Sequence, residues 1–143
     1  MKINLRKIIE TSIDAKTKML NVNLEAIDNA CKLMLGSVNG GNKILWCGNG
    51  GSAADSQHMS AELMGGLRSH NRDPIPSIAL STDSSFLTAW SNDTSFDDIF
   101  SRQIEGIGLP GDILVAISTS GNSTNVLNAI KTAQNKDIKS VVL

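Results

Sequence analysis

The fold of this 143-residue chain is decided by the stretch KILWCGNGGS at positions 43–52. Its first five residues, KILWC, predict a buried strand, because the apolar run does not alternate with polar side chains. The glycines and small polar residues of GNGGS predict a tight connection, and a helical pattern follows from about residue 53 to residue 67. A strand, a glycine-rich loop and a helix in succession are typical of a strand-helix-strand unit, which indicates a parallel sheet.

The same alternation continues downstream of this stretch. Strand-like runs occur at 77–80, 112–117 and 137–143, and helical patterns occur at 83–106, in two pieces, and at 124–134. We therefore predict an α/β fold with a doubly wound parallel sheet in the flavodoxin-like order 2-1-3-4. In that order the loops after the first and third strands face each other where the strand order reverses, which is where such sheets bind ligands.

Upstream of the first strand, residues 3–38 carry apolar side chains at helical spacing and contain no proline. Asn21 and Asn23 leave open whether this segment is one long helix or two in succession. We assign residues 1–38 to an N-terminal helical segment of the same domain and residues 39–143 to the sheet. The segment is longer than the cover of a small sheet requires. Either part of its apolar face packs against another subunit, or it packs only on its own domain.

The composition excludes several classes of function. Thirteen Lys and Arg residues against fourteen Asp and Glu give a net charge of −1, and aromatic residues make up 3% of the chain. Such a chain offers neither a basic surface for a phosphate backbone nor a stacking platform for bases. Its apolar runs are too short to cross a membrane, and Cys31 and Cys47 suggest no disulfide framework. We expect a soluble cytoplasmic protein whose partners are neither nucleic acids nor membranes.

Two loops rich in glycine and small polar side chains are candidate ligand sites. In the first, Gly50 and Gly51 would let the backbone approach a ligand, while Asn49 and Ser52 would hydrogen-bond hydroxyl groups. The alternative is a tight turn in which Ser52 caps the helix. The second loop, STSGNS at 118–123, precedes a helix, so its hydroxyl and backbone N–H groups would encircle a phosphate without Lys or Arg. The alternative there is an ordinary capped loop.

His58 and Glu62 are four residues apart and so share one face of the helix that follows the first loop. Small residues at positions 54, 61 and 65 flank them, which indicates an open space. A carboxylate in such a place suits general acid-base chemistry, and the pair would also supply half of a zinc site. The alternative is an ordinary pair on a helix surface.

Two weaker patterns complete the candidates. Asp93 lies after the second strand, where it would contact ligand hydroxyls or cap the next helix, and the sequence favours capping. The run GNGGSA at 48–53 loosely fits a dinucleotide fingerprint, but the acidic residue expected about 20 positions later is not clearly present.

Five segments occur together and in order: CGNGGSAADSQH at 47–58, AEL at 61–63, ND at 92–93, DIFSRQ at 98–103 and ISTSGNS at 117–123. In combination they resemble the bacterial phosphoheptose isomerases, which have the SIS, or sugar isomerase, fold. The resemblance covers nearly the whole chain.

The resemblance implies a five-stranded sheet and a homotetramer with sites at subunit interfaces. It further implies conversion of sedoheptulose 7-phosphate to D-glycero-D-manno-heptose 7-phosphate, a precursor of lipopolysaccharide or capsule heptose. Glu62 would move a proton between C1 and C2 through an enediol. His58 and Glu62 are also where the zinc-binding members place two ligands of one ion per subunit, so two roles compete for Glu62. The phosphate would contact Ser118, Thr119, Ser120 and Ser123, and the sugar chain would contact Asn49, Ser52 and Asp93.

The chain departs from the family pattern in two places. Gly66 stands where the family usually carries an Arg, so that role is vacant unless Arg68 substitutes. The family's fifth strand and final helix follow the position of Leu143, and that helix carries the Gln and His that complete the zinc ligands. We therefore expect an incomplete domain, with the remaining zinc ligands beyond Leu143 and little isomerase activity from these residues alone.

The alternative function is a binding module, because the same fold serves as a non-catalytic phosphosugar sensor. One relative of this kind binds the bacterial replication initiator, and it lacks a Glu at the position of Glu62. The presence of Glu62 therefore favours an enzyme.

Overall fold

The computed structural model of the chain describes residues 4–143. It contains six helices and four strands within those residues, with a short 3-10 turn at Phe96–Asp98. The helices are α1 (Leu5–Val22), α2 (Leu24–Asn39), α3 (Gly51–Gly65), α4 (Ser84–Asp93), α5 (Ile99–Ile107) and α6 (Thr124–Asn135). The strands are β1 (Ile44–Gly48), β2 (Ser77–Ala79), β3 (Ile113–Ile117) and β4 (Lys139–Val142). No helix among the described residues is long and apolar enough to cross a bilayer.

The N-terminal helical segment is divided at Asn23, so the interpretation as two successive helices is confirmed. Asn4 caps α1 by accepting a hydrogen bond from the backbone N–H of Lys7 at 3.1 Å. The chain separates into two compact units, one up to Leu33 and one from Met34 onward, and the whole sheet belongs to the second. The division into residues 1–38 and 39–143 stays a prediction.

The sheet is parallel throughout and has the order β2-β1-β3-β4, which confirms the predicted strand order. The central strands β1 and β3 are buried almost along their whole length, as expected for strands covered on both faces. Gly48 at the end of β1 pairs with Ile117 at the end of β3. The two candidate loops therefore leave the sheet side by side, at its carboxyl edge.

The main core lies where α5 and α6 pack against the sheet. Its largest buried side chains belong to Phe100, Ile104, Leu45, Leu114 and Leu80. Burial of such side chains contributes roughly 1.5–3 kcal/mol each, so this layer fixes α6, and with it the loop that precedes α6.

A buried ion pair holds the opposite, amino-terminal edge of the sheet. The Asp112 carboxylate is 1% exposed and accepts hydrogen bonds from Lys43 Nζ at 2.6 Å, the Lys43 backbone N–H at 3.0 Å and the Leu109 N–H at 2.8 Å. Both carboxylate oxygens are used within the fold, so this pair has a structural role.

Candidate active site

The first loop joins β1 to α3 through a glycine in the left-handed region. Gly50 has a φ of +53° and precedes α3, which begins at Gly51, two residues earlier than predicted. No side chain caps this helix, and Ser52 lies inside its first turn, where its N–H donates to the Asn49 carbonyl at 3.0 Å. The interpretation of Ser52 as the cap is therefore wrong, because the glycines let the helix begin before Ser52. An N-terminus without a side-chain cap keeps backbone donors available for a ligand.

The second loop folds into a turn at the start of α6. The N–H of Gly121, which has a φ of +67°, donates to the Ser118 carbonyl at 2.9 Å, and Ser118 Oγ donates to Ser123 Oγ at 3.2 Å. Thr119 and Ser120 are exposed, and α6 has no side-chain cap. This is the arrangement of hydroxyl and backbone groups that a bound phosphate requires, although the phosphate contact itself stays a prediction.

One residue that the sequence analysis missed connects the two loops. Asn125, in the first turn of α6, donates from Nδ2 to Asn49 Oδ1 at 2.9 Å and accepts from Asn49 Nδ2 at 2.9 Å. The two residues are 76 positions apart, so no local pattern reveals the pair. The pair confirms that the loops after β1 and β3 face each other.

His58 and Glu62 come together on α3 as their spacing predicts. His58 Nε2 lies 3.4 Å from Glu62 Oε1, and the two side chains are 64% and 31% exposed. The small residues at positions 54, 61 and 65 are exposed, in agreement with the open space that was expected beside the pair.

A cavity of about 640 Å³ adjoins this pair. Besides His58 and Glu62, it is lined mainly by apolar side chains, which include those of Met34, Trp46, Leu63, Leu67 and Ile75. Its polar lining consists of His58 and Glu62 together with Arg68, Ser69 and Arg72.

The segment after α3 holds a second residue that the sequence analysis missed. Arg72 Nη2 donates to the backbone carbonyls of Glu62 at 2.7 Å and Leu63 at 2.6 Å, so the guanidinium group closes the last turn of α3. Gly66 has a φ of +92°, and a Cβ there would collide with the carbonyl oxygen of Ser69, so this backbone has no place for the Arg of the family pattern. Arg68 is exposed and lines the apolar cavity.

Asp93 does not cap the following helical turn, so the capping interpretation is wrong. It is the last residue of α4, is exposed, and accepts a hydrogen bond from Asn92 Nδ2 at 2.7 Å. The cap is instead Ser95, whose hydroxyl accepts from the Asp97 N–H at 3.0 Å. Because α4 continues through Asp93, the cap falls two residues later.

Cys47 and the candidate metal ligands differ in what they offer to chemistry at this site. Burial raises the pKa of the Cys47 thiol to about 12, so this thiol is neutral at physiological pH and is no nucleophile. Within residues 4–143, no group of three or more His, Cys, Asp and Glu side chains is arranged to hold a metal ion. His58 and Glu62 thus provide two donors, half of what a tetrahedral zinc site needs.

Comparison with known proteins agrees with this geometry. A family model for the SIS domain matches residues 9–143. The phosphoheptose isomerases of Shewanella sp. (strain ANA-3) and Shewanella baltica (strain OS155) each share 50% sequence identity with this chain over all of its 143 residues. The matched region spans 70% of the length of each relative.

Solved structures of two further phosphoheptose isomerases superpose on this chain. The protein from Francisella tularensis gives a TM-score of 0.93 at 37% identity over 97% of this chain and 72% of its own. The protein from Neisseria gonorrhoeae gives 0.89 at 43% identity over 96% of this chain and 71% of its own. The chain therefore belongs to the phosphoheptose isomerase family of SIS-domain proteins.

Proposed function

We propose that this chain catalyses the conversion of sedoheptulose 7-phosphate to D-glycero-D-manno-heptose 7-phosphate, in the supply of heptose for lipopolysaccharide or capsule. The observation that carries the proposal is the half-buried Glu62, which follows the uncapped loop by about three helical turns and lies beside His58. A phosphosugar sensor needs the two loops but no such carboxylate. The relatives that share half of this sequence are themselves named as phosphoheptose isomerases.

The substrate would lie across the carboxyl edge of the sheet. Its phosphate would be bound by the hydroxyls of the second loop, Ser118, Thr119, Ser120 and Ser123, together with the N–H groups at the start of α6. Its sugar chain would contact the first loop, through the side chains of Asn49 and Ser52 and the backbone of Gly50 and Gly51, and it would contact Asp93. The pairing of Gly48 with Ile117 supports this placement, because it brings the two loops together.

Glu62 would act as the base in the proton transfer. The ionised carboxylate removes the proton from C1 of the ketose, which leaves an enediol after the C2 oxygen takes up a proton. Return of the carbon-bound proton to C2, with loss of a proton from the C1 oxygen, yields the aldose. A base that serves both carbons must lie over the C1–C2 bond, and the open surface around positions 61 and 65 gives the substrate access to Glu62.

Zinc at His58 and Glu62 is the competing role for this pair. The described residues bring together two donors, and a zinc site needs two more, from protein or water. We therefore derive no catalytic step through zinc. The alternative proposal is one zinc ion per chain, bound by His58, Glu62 and further ligands. Metal analysis of the purified protein decides between the two roles.

We further propose that the chain acts as a homotetramer in the cytoplasm. Helix α1 has no buried residue among the described part of the chain, and its isoleucines at positions 8, 9 and 13 are more than half exposed. Such a surface is typical of a helix that packs against another subunit. Cys31 and Cys47 are both free, as is usual in a reducing compartment.

The test is a proton NMR assay of the intact gene product with sedoheptulose 7-phosphate in D₂O, comparing the wild type with Glu62→Gln. We expect the wild type to form the aldose and Glu62→Gln to lose about a hundredfold or more of the rate, since a general base contributes that much. Glu105→Gln makes the same chemical change on α5, in a glutamate that pairs with Arg102 at 3.0 Å, and should leave the rate unchanged. The same preparations, with His58→Ala added, are analysed for zinc.

Three results decide between the roles. Aldose formation that survives Glu62→Gln would remove Glu62 as the base. Stoichiometric zinc that disappears from both His58→Ala and Glu62→Gln would assign the pair to a metal. Binding of the sugar phosphate by the wild type without any aldose would favour the phosphosugar-binding module and contradict the isomerase.

A further inference from the structure

The side chains of Asn49 and Asn125 form a reciprocal amide pair between the first loop and the first turn of α6, which directly follows the second loop. Each Nδ2 donates to the other residue's Oδ1 at 2.9 Å. Two amides joined in this way by two parallel hydrogen bonds hold each other's plane and orientation, because rotation of either side chain breaks both bonds.

The two partners have different surroundings. Asn125 is 2% exposed, in the first turn of α6, so its amide is out of reach of solvent and requires a partner inside the fold. Asn49 is only half-buried, in the loop that leaves β1. Asn125 is thus the fixed member, held by its helix, and Asn49 is the member whose orientation it determines.

The pair leaves part of the hydrogen-bonding capacity of the Asn49 amide free for a ligand. An asparagine amide has two N–H donors and two acceptor positions, and Asn125 takes one of each. One N–H and one lone pair of Asn49 stay available, both in directions that Asn125 sets. A hydroxyl group placed there can be donor and acceptor at once, which is the hydrogen-bonding capacity of a sugar carbon chain.

We propose that Asn125 is a positioning residue of the sugar site. It sets the orientation of Asn49 and the spacing between the first loop, which would contact the sugar, and the second loop, which would contact the phosphate. It acts through Asn49 and does not itself contact the ligand. The inference rests on the proposed function, because it takes the ligand to be a sugar phosphate that spans both loops.

The test is a double-mutant cycle of Asn125→Leu and Asn49→Ala, with kcat and KM measured for sedoheptulose 7-phosphate. Leucine matches the size of asparagine and removes both hydrogen bonds. We expect each single variant to lose about tenfold in kcat/KM, mostly through KM, and the double variant to lose no more than the worse single one. Inhibition by inorganic phosphate should change less than about twofold, since the second loop keeps its own hydrogen bonds.

Asn128→Leu is the matched control. Asn128 lies on the same helix and donates to the Asp97 carbonyl at 3.1 Å and Asp98 Oδ1 at 3.2 Å, away from both loops. The Asn128→Leu variant therefore loses two hydrogen bonds of an asparagine on α6 while the Asn49 pair stays intact. Its KM should stay at the wild-type value. If Asn125→Leu fails to fold, Asn125→Asp takes its place. It keeps the shape and one acceptor but sets an oxygen against Asn49 Oδ1, so it too should raise KM.

The outcomes separate the two proposals. An intact wild-type gene product that neither binds nor converts the sugar phosphate contradicts the proposed function. An active wild type whose Asn125→Leu and Asn125→Asp variants keep the KM of Asn128→Leu overturns the positioning role. Single effects that add in the double variant overturn it as well, because they would show that the two residues act independently. NMR of the Asn49 side-chain amide supplies a readout without substrate: slow hydrogen exchange in the wild type that becomes fast in Asn125→Leu supports the pair, and fast exchange in both contradicts it.

Discussion

At the scale of single residues, Gly48 joins the end of β1 to the first turn of α3 by close packing. A Cβ at this position would lie 2.7 Å from Ser52 Cβ and 2.8 Å from the Ser52 carbonyl oxygen. These are rigid neighbours, since one belongs to helix backbone and the other is fixed directly to it. A methyl group here must push α3 away from the strand, and the first loop lies between these two elements.

Gly48→Ala should therefore destabilise the protein by about 1–3 kcal/mol, the usual cost of overpacking. Chemical denaturation measures this change in the free energy of unfolding. Gly106→Ala is the matched control, because a Cβ on that α5 glycine meets no atom within 4 Å and alanine is the better helix former. Equal stabilities of the two variants would show that β1 and α3 are not packed as closely as described.

At the scale of elements, Arg72 completes the end of α3. The last carbonyls of a helix have no partner within the helix, and the helix dipole makes this end negative. The carbonyls of Glu62 and Leu63 accept from the backbone N–H groups of Gly66 and Ile75. The half-buried guanidinium group of Arg72 adds a second hydrogen bond to each carbonyl and brings a positive charge to that end. Because Glu62 is one of these residues, the same contact holds the turn that carries the proposed base.

Arg72→Leu should cost about 1–3 kcal/mol of unfolding free energy and should also lower kcat, as the turn around Glu62 loosens. Arg72→Lys keeps the charge but not the planar fork, so it should recover part of both losses. Denaturation curves and the aldose assay measure the two effects. Arg68→Leu, an exposed arginine of the same segment, should change stability by less than about 0.5 kcal/mol. A loss of stability in Arg68→Leu as large as in Arg72→Leu would contradict the specific role of Arg72.

The elements themselves were largely predictable from local patterns, and the errors have a common cause. Strands such as Ile113–Ile117 are read from continuous apolar runs, and the placement of His58 beside Glu62 follows from helical spacing. The predictions that Ser52 and Asp93 are helix caps were wrong because in each case the helix boundary differs by two residues from the predicted one. Glycine and small polar residues permit such a shift at little energetic cost. Asn125 could not be found, since its partner is 76 residues away and only the folded sheet brings them together.

At the scale of the whole molecule, the strand order was predictable because right-handed crossovers leave few arrangements for four strands that alternate with helices. The surface that contacts other chains could not be predicted in this way, because burial within one chain does not report burial between chains. Helix α1 shows this directly. Its apolar residues Leu5, Ile9, Ile13 and Leu20 recur at spacings of four and seven, which puts them on one helical face, yet each is more than half exposed.

We expect this face of α1 to be buried between subunits in solution, and Ile13→Lys to weaken the assembly. Burial of one isoleucine contributes roughly 1.5–3 kcal/mol, and a symmetric oligomer repeats that loss at every equivalent contact. Thr11→Lys is the matched control, because it adds the same charge on the same helix about 160° away from Ile13 around the axis. Sedimentation velocity over a range of concentrations should show a tetramer for the wild type and Thr11→Lys, and smaller species for Ile13→Lys. A wild type that sediments as a monomer, or an Ile13→Lys variant that stays tetrameric, would contradict the role of this face in assembly.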